Sequence, residues 1–172
     1  MKKLYSALIA MIAFIVFAAP ALADPGNTWD QIVTRNRFRV LSGFNDEAVL
    51  DKETGRVWEQ SPSADSFNWF QALARCYQLE VGGRKGWRLP TIEELASLVD
   101  RSQPAPTLPT GHPFDNVQSF TYWSTTTLAD SAGKAWVVSF ADGGVGNGVN
   151  GKADDDFFVW CVRGGQGIDG VQ

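Results

Sequence analysis

The sequence has one histidine, two cysteines and no C-x-x-C pair. That excludes a zinc site of the usual Cys/His kind, which takes three or four such ligands. Bases are also short, with 15 Lys and Arg against 19 Asp and Glu and a net charge of −4. Nucleic-acid binding needs clustered Lys and Arg, so that class of partner is excluded. No G-x-S-x-G elbow is present, and the lone His112 lies in a proline-rich stretch and reads as a solvated loop residue. What is abundant is aromatic: 7 Trp, 11 Phe and 3 Tyr. Hydrophobic residues at 44% with 20% charge fit a folded chain rather than a disordered one. A length of 172 residues suggests one domain.

The one long apolar run is at the start. Met1-Lys2-Lys3 is basic, Leu4 to Ala19 is apolar, and Ala21-Leu22-Ala23 offers the small residues that signal peptidase needs. The run falls short of the roughly 20 apolar residues of a spanning helix. Residues 1–23 are therefore expected to be a secretory signal peptide cleaved after Ala23, leaving a periplasmic or secreted chain with no membrane span. Loss of Lys2 and Lys3 leaves 13 bases against 19 acids, a charge of −6. An exported chain with two cysteines suggests a disulfide, and the intramolecular pairing of Cys76 with Cys161 is unique. A reactive thiol pair would need a C-x-x-C motif or a low-pKa setting, and neither is visible.

Residues 24–36 form a polar lead-in, residues 37–165 the domain and 166–172 a tail. Residues 37–41 alternate and read as a strand. Residues 48–51 and 56–58 read as a hairpin turning at Gly55. A first helix is expected over residues 66–79 with Ser66 as its N-cap; Trp69, Leu73, Cys76 and Leu79 make its buried stripe. Thr91-Ile92-Glu93-Glu94 is a capping box that opens a second helix running to about Val99. Residues 100–115 hold four prolines and read as a long surface loop. Strands follow over 119–127 and 134–140, then a Gly/Asn-rich loop over 142–151. Residues 157–163 read as one central strand, apolar on both faces, with Cys161 inward beside Val159 and Phe157.

A series of motifs in one order carries a resemblance. It runs through Val49-Leu50-Asp51, Thr54-Gly55-Arg56-Val57-Trp58, Trp69-Phe70-Gln71-Ala72, Cys76, Trp87-Arg88-Leu89-Pro90-Thr91-Ile92-Glu93-Glu94-Leu95, Tyr122-Trp123-Ser124-Thr125-Thr126, Ala135-Trp136-Val137-Val138-Ser139-Phe140 and Val159-Trp160-Cys161-Val162-Arg163-Gly164-Gly165. The chain resembles the Lcl C-terminal domain family over about residues 38–165. The resemblance implies an α+β, C-type lectin-like fold: two helices packed on a small twisted antiparallel sheet, with long loops and one disulfide. Arg88-Leu89-Pro90-Thr91 and Val162-Arg163-Gly164-Gly165 also resemble segments of formylglycine-generating enzymes, which share that fold. Their catalytic cysteine pair is not matched, because one cysteine here lies on the first helix. The family's namesake is associated with adhesion to sulfated polysaccharide.

A non-enzymatic binding module is therefore expected, recognising a glycan or a protein at the cell envelope or outside the cell. Function lives in sites rather than folds, so the site is sought in the loops. Asp142, Asn147, Asn150, Lys152, Asp154 and Asp155 are its candidate ligand-binding residues. They are oxygen donors or a cation in the longest irregular stretches. Calcium could use such oxygens, but no EF-hand spacing is present, so no cofactor and no metal is expected. Adjacent Glu93 and Glu94 point about 100° apart on a helix and do not make a carboxylate pair for glycoside hydrolysis. Trp69, Trp123, Trp136 and Trp160 read as core, and Trp29 as the least constrained. Arg35, Arg37 and Arg39 could meet an anionic polysaccharide, although the net charge opposes it. Two alternatives are an oligomer-forming envelope protein using aromatic surface and a diversified receptor-binding protein; the oligomeric state is left open.

Overall fold

The computed structural model describes residues 37–146 and 151–164. The signal segment, the lead-in with Trp29 and Arg35, and the tail lie outside the described residues. The fold is α+β with one disulfide, and its strands form two sheets rather than the expected one. The first sheet joins β1 (Phe38–Val40), β2 (Ala48–Asp51), β3 (Arg56–Glu59) and β9 (Val162–Arg163) in the order β1-β2-β3-β9, all antiparallel. The second joins β4 (Ser66–Phe67), β8 (Phe157–Phe158), β5 (Thr121–Leu128), β6 (Ser131–Ser139) and β7 (Val145–Gly146) in the order β4-β8-β5-β6-β7. It is mixed, because β5 and β8 run parallel.

Both sheets bury both faces. Along the strands, alternate residues go to two different cores. Ala48, Val57, Trp123, Ala135, Val137, Val159 and Cys161 pack on one side. Their neighbours Val49, Trp58, Tyr122, Val138, Trp160 and Val162 pack on the other. The period of two that defines a strand makes this division. The helix α1 (Trp69–Gln78) closes the first core with Ala72 and Cys76. The short helix α2 (Ile92–Ala96) and the loop beyond it close the second with Leu95, Leu98, Leu108 and Phe114.

The expected single strand over 157–163 is two short strands, one in each sheet. The predicted alternation survives the break: Phe157, Val159 and Cys161 serve the first core, and Phe158, Trp160 and Val162 the second. Cys161 bonds to Cys76, whose Cα is 5.5 Å away, so the bridge ties α1 to the crossing between the two sheets.

The first helix starts later than expected. Ser66 pairs in β4 with Phe158 and is not a cap. Asn68 is the N-cap: its Oδ1 accepts the Gln71 amide at 3.0 Å, and Gln71 Oε1 accepts the Asn68 amide at 3.2 Å. The predicted capping box of α2 is present, with the Glu94 amide donating to Thr91 Oγ1 and Glu94 Oε2 accepting the Thr91 amide. Of the four core tryptophans expected, Trp123 and Trp160 are fully buried, and Trp69 and Trp136 are half-buried.

Candidate functional site

The two loops singled out by composition meet. Arg101, one residue into the first of them, donates through Nε (3.0 Å) and through its terminal nitrogen (2.8 Å) to the carbonyl of Gly143 in the second. Gly143 has φ +74°, and a Cβ there would lie 2.7 Å from both Val99 Cγ1 and Arg101 Cγ. Only glycine combines that backbone with that approach. Thr107 continues the seam, donating from its amide (2.9 Å) and its hydroxyl (3.3 Å) to the Phe140 carbonyl.

On this rim Asp142 is exposed. Its Oδ1 accepts the Gly144 amide at 2.9 Å. That hydrogen bond, one from Ser139 and the charge of Arg101 hold its carboxyl below the usual aspartate range. Asp100 is likewise held down, by the Ser102 hydroxyl and amide. The rim thus offers the Asp142 carboxylate within the field of the Arg101 guanidinium, and the Asp100 carboxylate turned to Ser102.

The other described candidates, Lys152, Asp154 and Asp155, do not join it. Asn147 and Asn150 lie outside the described residues. Val138 pairs with Val145, and Lys134 bridges to Gly151, so these two points lie at different positions along β6. Four residues of strand, about 13 Å, separate the Asp142 end from the Asp154 end. There Asp155 Oδ2 accepts the Gly151 amide at 2.6 Å, and Asp154 is exposed.

Lys152 points into the protein rather than to a ligand. It is 7% exposed. Its Nζ donates to Thr127 Oγ1 at 2.7 Å and to the Ala132 carbonyl at 3.0 Å, and lies 4.1 Å from the centre of the Trp69 ring. Its carbonyl accepts the Trp69 amide, which fixes the start of α1.

Other residues weighed from sequence are also engaged elsewhere. Arg37 binds Asp51 and the Ser97 carbonyl and pairs with Glu53, so the basic series is spent in part on structure. His112 is not a solvated loop histidine. It is half-buried against Phe114, and burial lowers its pKa. Glu47, Glu59, Gln60, Ser61, Glu80 and Val81 line a cleft of about 210 Å³, and Arg75 neutralises Glu59 within it. Among the described residues no three His, Cys, Asp or Glu side chains gather to hold a metal, and no helix is long and apolar enough to cross a membrane.

Sequence reasoning overlooked the outward face of α1. Phe70 is 57% exposed and Tyr77 is 82% exposed, while Phe120 projects from the end of β5. The signal was available: positions 70, 74 and 77 recur on the side opposite the predicted buried stripe.

The model of the Lcl C-terminal domain family matches residues 47–163, from the start of the β2–β3 hairpin to the end of β9. No curated protein matches the chain.

Proposed function

Because the chain belongs to the Lcl C-terminal domain family, we propose that it is an exported, non-enzymatic binding module of lectin-like fold. Its ligand is a glycan or a protein at the cell envelope or outside the cell. The observation that carries the reading is the clasp of Arg101 on Gly143. It joins the start of the first loop to the turn at Gly143 in one exposed rim on a scaffold packed on both sides. Binding surfaces are commonly loops on such rigid supports. The rim carries carboxylates and a guanidinium, which suit hydroxyls, amides and charged side chains. Among its described residues no nucleophile is paired with a base, so turnover is not part of the reading.

The test is a screen of the oxidised chain against a glycan panel and fractionated envelope proteins, with calcium and with chelator. Once a ligand is identified, Asp142→Ala should weaken its binding about tenfold or more and leave the melting temperature nearly unchanged. Asp154→Ala, at the far end of β6, should weaken it less. Equal affinity of both variants and the parent would remove the rim as the site. Loss of all binding in chelator would make calcium part of it.

A further inference from the structure

The outward face of α1 has properties that the rim lacks. At 100° per residue, Tyr77, Phe70, Ala74, Gln78 and Gln71 fall within about 120° of the helix circumference. All five are exposed. The helix has one charged residue, Arg75, and it is turned inward onto Glu59 and the Cys161 sulfur. The face is therefore uncharged on a chain with four more acids than bases. Seven residues at the helical rise put Phe70 and Tyr77 about 10 Å apart along the axis, on nearly the same line.

The Phe70 ring and the Tyr77 backbone are also held in place. Phe70 packs edge-on against Trp69, with ring centres 5.3 Å apart. Trp69 is pinned in turn by its Nε1 donating to the Ser124 carbonyl and by the Lys152 ammonium against its face. Tyr77 follows Cys76 directly, so the bridge to Cys161 fixes its backbone.

We propose that this face is a stacking platform for a neutral, extended polysaccharide. The proposal rests on the glycan half of the functional reading and gives such a ligand an aromatic contact surface on α1 in addition to the rim. Sugar rings present flat C–H faces that stack on aromatic rings, and their hydroxyls exchange hydrogen bonds with amides such as those of Gln71 and Gln78. The spacing of the two residues along the helix axis is of the order of the disaccharide repeat in an extended β-1,4-linked chain. The absence of charge selects a neutral ligand over an anionic one. A second copy of this chain fits less well. The two rings expose roughly 300 Å² in all, well below the roughly 800 Å² per partner of a standard protein interface.

Titration of the purified, oxidised chain with cellohexaose and chitohexaose, and with heparin and alginate hexasaccharides, tests the platform. At least one neutral probe should bind. Tyr77→Ala and Phe70→Ala should each weaken it at least tenfold, Tyr77→Phe should stay within about threefold, and all three should melt with the parent. Neutral binding untouched by both alanine variants would sink the platform and leave the glycan reading standing. Binding of the anionic probes alone would sink it too. Binding of no saccharide would remove both the platform and the glycan half of the function. A dimer abolished by Tyr77→Ala, with no saccharide bound, would replace the platform by self-association.

Discussion

Glu94 is where sequence-local and long-range interactions converge on one side chain. It accepts the Thr91 amide that opens α2, two hydrogen bonds from Arg88 at 2.7 Å, and an ion pair with Arg56 Nε at 2.6 Å. Burial pushes its pKa up, but the Arg88 hydrogen bonds, the Thr91 amide and both positive charges outweigh it, and the net shift is downward. A carboxyl whose folded pKa is lowered stabilises the fold fully above its unfolded pKa and loses that contribution as pH falls through the folded value. Stability should therefore decline below the usual glutamate range. In Glu94→Gln the slope of unfolding free energy against pH in that limb should be shallower, as urea titrations between pH 5 and pH 3 would show. An unchanged slope would mean that other carboxyls govern the acid limb. The capping role of Glu94 was legible because it depends on a spacing of three. The Arg56 and Arg88 contacts were not, because β3 and the segment before α2 meet there only in the assembled fold. The same reason hid the position of Lys152: a lysine in an acidic loop reads as exposed until the hairpin and the helix that enclose it are assembled.

Elements were read well where their chemistry is local. The β2–β3 hairpin, the inward stripe of α1 and the alternation of β6 follow from periodicity alone. The start of α1 was misplaced because two residues of capping type lie close together. Ser66 is drawn into β4 by Phe158, and Asn68, with Gln71 three positions on, makes the cap. Asn68→Ala should cost about 1 kcal/mol in urea denaturation, whereas Ser66→Ala should cost little. The reverse order would restore the earlier start. The split of residues 157–163 was beyond the pattern, since alternation assigns faces but not pairing partners. The same gap divided the predicted site, because only the β6 register shows that Asp142 and Asp154 stand at opposite ends of one strand.

For the whole molecule, the two-sided strand layer explains why so little of the aromatic content reaches the surface. Tryptophans at 58, 123 and 160 fill cores on both sides. The bridge then closes a separation of 85 residues across one of these cores. Replacing both cysteines with alanine should lower stability by about 2–5 kcal/mol, as measured by chemical denaturation beside the oxidised parent. Reductant should lower the melting temperature of the parent and not of the variant. Preservation of full stability without the bridge would assign the work to the cores alone.

The position of that bridge also sets an order of events. Cys76 is synthesised with α1, yet its partner follows only after every strand of the second sheet, and every strand of the first except β9, has been made. Oxidation of this pair therefore cannot lock a chain that still lacks strands of the second sheet. A chain cut short anywhere before residue 161 keeps a free thiol where the first core should close. The covalent bond thus records that synthesis has passed the whole of the second sheet, with β9 of the first still to follow.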